Sequence, residues 1–376
     1  MLTWVELDQD RFRRNISAFR NLTAAGTSIM VVIKANAYGH GLRELAPAAA
    51  EAGDWLGVNS IDEADAITGL DIRKPVAILG HSETAVAEKI VGQEYRQVVY
   101  RIDVAQALSA ASGKTGKPAR IHLKIETGTN RQGVALDALP DFVRSLRRLP
   151  GLEIEGAYTH FANIEDTLDP SFARLQVKRF HQALAALTAM GIRPPLIHAS
   201  ATSGALLYRE TDFNMVRIGV GAYGIWPSRE TQLAARERGT RLSLAPVLSW
   251  KTRVAQVKHV ASGDYVGYGL TYQASRPMRI GVLPVGYYDG YDRKLSNAAR
   301  VLVGGQFAPV IGRIAMNMTM IDVTDIAAGN DDEVVLIGRQ ANQEIRAEDL
   351  ADKCGTIAYE FLARINPLLP RTIVPA

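Results

Sequence analysis

Between residues 29 and 220, short apolar, β-branched runs recur eight times, and each but the last is followed by a longer segment with room for a helix. The runs lie at 29–33, 55–58, 76–79, 97–100, 120–125, 153–158, 196–198 and 215–218. Such alternation is expected of repeated βα units on a parallel sheet, and eight units predict an α/β fold closed as a (β/α)₈ TIM barrel rather than an open doubly wound sheet. No glycine fingerprint for a dinucleotide follows the first run. Helix is most strongly expected at 138–148 and 172–190, where apolar residues recur at i, i+3 and i+4 and Pro or Gly closes the end.

The texture changes after residue 236. Alternating stretches at 247–260, 279–285, 300–303 and 333–337 are separated by glycine-rich turns, including Val-Gly-Gly-Gln at 303–306, and predict a mainly β second domain. A helical tail is expected at 347–364, and the polar, Arg- and Glu-rich stretch at 228–240 reads as a linker. The chain, at 376 residues, exceeds the length at which one core stops growing. The expected division is a barrel over 1–236 and a β domain over 237–376, with a strand near residues 3–8 able to pack on the second domain.

Charge argues against nucleic acid as a partner. Lys and Arg number 43 against 39 Asp and Glu, and no run of five like charges occurs. Arg144, Arg147 and Arg148 form the densest basic stretch, at the spacing of a solvated helix face. One cysteine, Cys354, excludes an internal disulfide and a cysteine metal cluster, and its helix-like surroundings predict a buried small hydrophobe. The N-terminus puts acidic residues where a signal peptide needs a basic start, and no stretch of 18 apolar residues exists, so a soluble cytoplasmic protein without bound metal is expected.

In such a barrel the working groups stand at the C-terminal ends of the strands. Lys34 follows the first run, inside Val-Ile-Lys-Ala-Asn-Ala-Tyr-Gly-His-Gly. Burial of an amine there lowers its pKa toward the neutral form that a Schiff base requires. The loops after runs seven and eight carry Ala-Ser-Ala-Thr-Ser-Gly at 199–204 and Arg217 followed by Gly219. Small residues, hydroxyls and helix N-termini in those loops suit a phosphate, with Thr202, Gly219 and Val220 as the candidates. His160 follows run six, and Lys124 and Arg131 flank the loop after run five. Lysine, phosphate cradle, histidine and arginine converging on one rim read jointly as a pyridoxal phosphate site.

These motifs resemble those of alanine racemase. The lysine motif at 31–41 looks like the cofactor-lysine signature, and six further segments follow in order: 124–131, 159–162, 215–219, Gly-Tyr-Gly-Leu-Thr-Tyr at 267–272, 286–290 and 312–317. The resemblance covers essentially the whole chain. It implies a homodimer with shared active sites, interconverting L- and D-alanine with pyridoxal 5'-phosphate and supplying D-alanine for peptidoglycan. By the same resemblance Lys34 is similar to the Schiff-base lysine, Tyr38 to a phosphate ligand, His160 to a supporting histidine, Arg217 to the pyridine-nitrogen partner and Tyr268 to the opposing catalytic tyrosine. Lys124 matches an often carbamylated position, and Arg131 the arginine it orients near the substrate carboxylate. Thr202, Gly219, Val220 and Tyr359 correspond to phosphate-site positions, and Tyr287 and Met316 to substrate-side positions contributed across the dimer.

Three departures bear on the substrate: Ala201 where an asparagine is common, Asn317 where an aspartate is common, and Thr129 where a methionine is frequent. They keep open a serine or broad-spectrum racemase of the same fold, since a methylene or hydroxyl is discriminated by only about 1–3 kcal/mol. A decarboxylase of this fold type expects a catalytic cysteine in the second domain, and Cys354 lies in no comparable motif. A non-catalytic cofactor carrier has no use for Tyr268. For racemisation, Lys34 and Tyr268 are expected to serve the two faces of the substrate carbon, with positive charge from His160 and Arg217 lowering the phenol's pKa.

Overall fold

A computed structural model describes residues 1–375; Ala376, the last residue of the expected second domain, lies outside the described residues. After strand β1 (Thr3–Asp8) come β2 (Ser28–Val32), β3 (Trp55–Val58), β4 (Val76–Ile78), β5 (Arg96–Val99), β6 (Ala119–Lys124), β7 (Leu152–Tyr158), β8 (Leu196–His198) and β9 (Met215–Ile218). Strands β2 to β9 pair in parallel and in order, and β9 closes on β2 from Ser28↔Met215 to Val31↔Ile218. The eight apolar runs are therefore the eight staves of a barrel. Their β-branched side chains suit strands covered on both faces.

The barrel is one compact unit, built from Phe12–Ala35 and Leu45–Ala245. Met30, Trp55, Ala77 and Met215 form a buried cluster from four of its strands. Each large apolar side chain buried there contributes about 1.5–3 kcal/mol. The helices cover the outside through the spacing that predicted them: Ser171–Ala189 buries Ala173, Phe180, Ala183 and Leu187, and Leu139–Leu146 buries Leu139, Val143 and Leu146. Arg144, Arg147 and Arg148 are exposed, as a solvated face requires.

The second unit comprises Met1–Arg11, Asn36–Glu44 and the chain from Pro246 onward. Its strands are β1 with β10 (Leu248–Arg253), β11 (Gln256–Val260), β12 (Met278–Leu283), β13 (Arg300–Val303), β14 (Gln306–Ile311), β15 (Thr319–Asp322), β16 (Glu333–Gln340), β17 (Gln343–Ile345) and β18 (Arg371–Val374). The sheet order is β11-β12-β15-β14-β13-β16-β10-β1-β18, with β17 pairing on β16. Strand β1 is antiparallel to β10 and parallel to β18, so both ends of the chain enter this sheet.

Three expectations need correction. The stretch at 228–240 is not an extended linker: Arg229–Glu237 is a helix, started by Ser228 Oγ accepting the Thr231 N–H at 3.0 Å and anchored by buried Thr231, Ala234 and Ala235. Its Arg, Glu, Gln and Ala residues are strong helix formers, and polarity alone hid that. The alternating stretch at 247–260 is two strands with different neighbours, β10 against β1 and β16, and β11 against β12. The helical tail is likewise two helices, Ala347–Cys354 and Ala358–Ala363, parted where Gly355 takes a left-handed φ of +66°. Cys354 is buried, and that burial pushes its thiol up to about 11.

Immediately after Lys34 the backbone turns left-handed. Ala35, Asn36, Ala37 and Tyr38 all have φ between 51° and 54°. For L-residues this costs about 1–2 kcal/mol each, and single residues are the usual limit. Gly39 continues the turn at φ +81°, where an added Cβ would stand 1.9 Å from Leu362 O. No residue but glycine fits.

Candidate active site

The C-terminal ends of the barrel strands bring together Lys34, Lys124, His160, Thr202, Arg217, Gly219 and Val220. Lys34 is half-buried at the end of β2; burial first, and then the positive charge of Arg131 and Arg217, hold its amine below the ordinary lysine range, partly opposed by Glu63. Lys124 ends β6 at 5% exposure. Burial and then Arg131 and Arg217 lower its amine to about 8, and its Nζ donates to Gln132 Oε1 at 3.1 Å. Gln132 in turn donates to the Tyr100 hydroxyl at 3.1 Å. Unmodified Lys124 makes no hydrogen bond to Arg131 among the described residues; Arg131 is exposed on the loop and donates its backbone N–H to Glu126. A cationic lysine has nothing to offer a guanidinium.

Arg217 is the centre of the polar layer. At 4% exposure it donates through Nη1 to His198 Nδ1 at 2.7 Å and through Nη2 to Ala199 O at 2.7 Å, Thr159 O at 2.9 Å and His160 Nδ1 at 3.3 Å. Its plane lies over the Tyr158 ring, which stacks on His198 with centroids 4.7 Å apart. Among the described residues no carboxylate contacts it. Burial lowers it to about 10, which leaves it charged at neutral pH. Among the described residues its Nε makes no hydrogen bond.

Arginine only donates, so these contacts set the tautomers. His160 and His198 both accept at Nδ1, and His198 therefore carries its proton on Nε2, donated to His122 Nδ1 at 2.9 Å. His122 then turns a protonated Nε2 toward Glu155 Oε2, 3.6 Å away. Burial and then the Arg217 charge push His160 well below its usual value, so it is neutral. The expectation of positive charge from His160 is corrected here. An imidazole against a guanidinium loses its proton.

Thr202 opens the helix Thr202–Leu207, and its Oγ1 accepts the N–H groups of Gly219 at 3.2 Å and Gly221 at 3.4 Å. The hydroxyl thus ties the loops after β8 and β9 together, and the Gly219 N–H is spent inside the protein. The N–H of Val220, which opens the turn Val220–Tyr223, has no partner within that turn. Ala201 precedes the Thr202 helix without a side-chain cap, and Thr129 Oγ1 donates to His160 O.

The remaining candidates belong to the second unit. Tyr38 and Tyr359 face each other with ring centroids 6.1 Å apart. Tyr268 stands on a short turn between Gly267 and Gly269 at 74% exposure. Tyr287 and Met316 are also exposed, and their segments are joined by the Tyr288 N–H to Met316 O bond of 3.0 Å. Asn317 lies beside them, exposed. Sequence reading missed Glu63, Gln132, Tyr158, His122 and His198. For His122 a signal existed, since it stands two residues before Lys124 on one strand and so shares its inward face.

Two family models match the chain in succession: alanine racemase, N-terminal domain, over residues 7–227, and alanine racemase, C-terminal domain, over residues 247–373. The chain belongs to the alanine racemase family. It is similar to an alanine racemase of Symbiobacterium thermophilum, with 40% identity over 98% of this chain and 96% of the relative. Among solved structures it resembles the Bacillus anthracis alanine racemase with bound L-Ala-P, at a TM-score of 0.92 and 31% identity, covering 99% of this chain and 95% of that one. It also resembles a histidine racemase from Leuconostoc mesenteroides, at a TM-score of 0.89 and 27% identity over 100% and 98% of the two chains.

Proposed function

We propose that this member of the family is an isomerase that interconverts L-alanine and D-alanine with pyridoxal 5'-phosphate, and that its product serves peptidoglycan assembly. The observation that carries the reading is a half-buried lysine with a lowered pKa on the same barrel rim as a buried arginine that contacts no carboxylate. The donor set suits the cofactor. The unengaged Nε of Arg217 matches a ring nitrogen, the N–H groups that open the Thr202 helix and the Val220 turn match a phosphate, and Lys34 matches the aldehyde. Tyr38 and Tyr359 are the proposed further phosphate ligands. When bound, pyridoxal phosphate supplies an electron-withdrawing ring that acidifies the α-carbon of an attached amino acid.

The chain's own groups do the rest. Lys34, whose amine burial holds below the ordinary lysine range, takes or returns the α-proton on one face. Tyr268, contributed by a second copy, serves the other. His160, neutral and bonded at Nδ1, has its Nε2–H left to hold the phenol oxygen. Arg217 would hold the ring nitrogen by donating to it without giving up its proton, and an arginine there would leave the ring a weaker electron sink and favour simple return of the proton. Arg131, Tyr287 and Met316 receive the substrate carboxylate and side chain. Carbamylation of Lys124, whose amine at about 8 is partly neutral under mild alkaline conditions, would convert a cation beside Arg131 into an anion that can orient it.

The solved histidine racemase of the same fold supports a second reading, a broader-spectrum racemase. Chiral product analysis of the purified protein with cofactor and a panel of L-amino acids decides between them. Rapid D-alanine formation with little from serine or histidine is expected. Lys34→Ala should lose both activity and the borohydride-reducible cofactor absorbance, and its retention would overturn the reading.

A further inference from the structure

The left-handed turn after Lys34 persists only because something outside it holds both ends. Its far end is held within its own unit: Asn36 Oδ1 accepts the Leu42 N–H at 2.8 Å, and Arg371 donates to Gly39 O at 2.8 Å and His40 O at 2.9 Å. Its near end is held by one side chain. Glu63 Oε1 accepts the Ala35 N–H at 2.7 Å, and Glu63 Oε2 accepts the Asn59 N–H at 2.6 Å. Glu63 sits in the first turn of the helix Ile61–Ala66, where the Ser60 side chain caps its own N–H at 3.4 Å. One carboxylate therefore ties the residue after Lys34 to the loop after β3.

We propose that Glu63 is the positioning residue of Lys34, its carboxylate clamping the first left-handed residue so that the lysine leaves the strand in one fixed direction. The inference rests on the reading of Lys34 as the cofactor lysine. A neutral acceptor would satisfy one N–H; the carboxylate satisfies two and adds charge where charge counts. Lys34 is faced by the charges of Arg131, Arg217 and Lys124 and by neutral His160, and Glu63 is the carboxylate whose charge acts on Lys34 against them. Clamp and counter-charge are the same two oxygens.

The test uses the full chain. Lys34 is labelled with acetic anhydride across a pH series in the cofactor-free protein and followed by peptide mass spectrometry, and steady-state kinetics are measured with cofactor and alanine. Glu63→Gln should move the Lys34 labelling midpoint down by roughly half a pH unit and lower kcat on the order of tenfold to a hundredfold, with KM little changed. Asp54→Asn is the matched control. Asp54 Oδ2 accepts the Ile29 N–H at 2.8 Å, the same kind of bond at the other end of β2, and its loss should leave the Lys34 midpoint in place. A Glu63→Gln midpoint equal to the wild type's, or an equal shift in Asp54→Asn, overturns the proposal. If circular dichroism shows Glu63→Gln unfolded, Glu63→Asp replaces it; this variant keeps the charge but is a methylene too short to span both N–H groups. It should keep the wild-type midpoint with reduced kcat, and a wild-type kcat overturns the clamp. Cofactor retained by Lys34→Ala would defeat the parent reading instead, and would leave the labelling result standing.

Discussion

Arg217 and His160 illustrate how one buried charge sets the state of its neighbours. Arg217 is surrounded by carbonyl oxygens and two neutral imidazoles and by no carboxylate, so its charge is solvated by dipoles and stays in place. His160 pays for that proximity with its own proton, a result of spacing that only the folded barrel creates. Arg217→Glu replaces a donor that keeps its proton with a group that can share one with the ring nitrogen. The variant should retain cofactor, show a long-wavelength absorbance on adding alanine that the wild type lacks, and lose activity on the order of 10²-fold or more. Stopped-flow spectra check this. An unchanged spectrum with cofactor bound would place Arg217 away from the ring.

At the scale of elements, the turn that feeds β9 carries a cost. Asp212 is buried, its Oδ1 has no partner among the described residues, and burial raises its pKa to about 7 although Ser200 acts in the other direction. The folded chain thus holds this proton up to about pH 7, whereas the unfolded chain releases it near the ordinary value of 3.8. Between those limits the native state binds more protons, so stability falls as pH rises through the window. Asp212→Asn removes that slope. Its Tm relative to wild type should improve between pH 4.5 and pH 7.5, read by thermal circular dichroism in buffers of about equal ionic strength. A difference constant with pH would show that Asp212 titrates normally. The helix Arg229–Glu237 teaches a related lesson: a cap at Ser228 and two buried alanines suffice to order a segment whose composition resembles a linker.

For the whole molecule, the proposed completion of the site by a second copy requires Tyr268, Tyr287 and Met316 to be exposed, and all three are. A shared site has a consequence in trans. Lys34→Ala and Tyr268→Phe should each be inactive alone, yet mixed under conditions of subunit exchange they should regain about a quarter of wild-type activity, because half the dimers are mixed and each gathers both defects in one site. Native mass spectrometry monitors the exchange. No recovery despite exchange would place Tyr268 in its own subunit's site or outside catalysis.

Periodicity within short windows determined much of this protein from sequence. Eight apolar runs marked the barrel to within a residue or two of each strand, and the spacing in Ser171–Ala189 and Leu139–Leu146 marked the covering helices, because burial on one face imposes a local repeat. The rim positions of Lys34, Lys124, His160 and Arg217 followed from the same count. What tertiary structure alone decided are contacts between residues far apart in the chain. Strand β1 joins β10 some 245 residues later, from Thr3↔Thr252 to Leu7↔Leu248, and no local pattern encodes that pairing. The left-handed run after Lys34 contradicts the preferences of its own residues, and it exists because Glu63 and Arg371 hold it from outside. The neutrality of His160 and the tautomers of His198 and His122 depend on which nitrogen meets which donor, a matter of ångströms that sequence spacing does not contain.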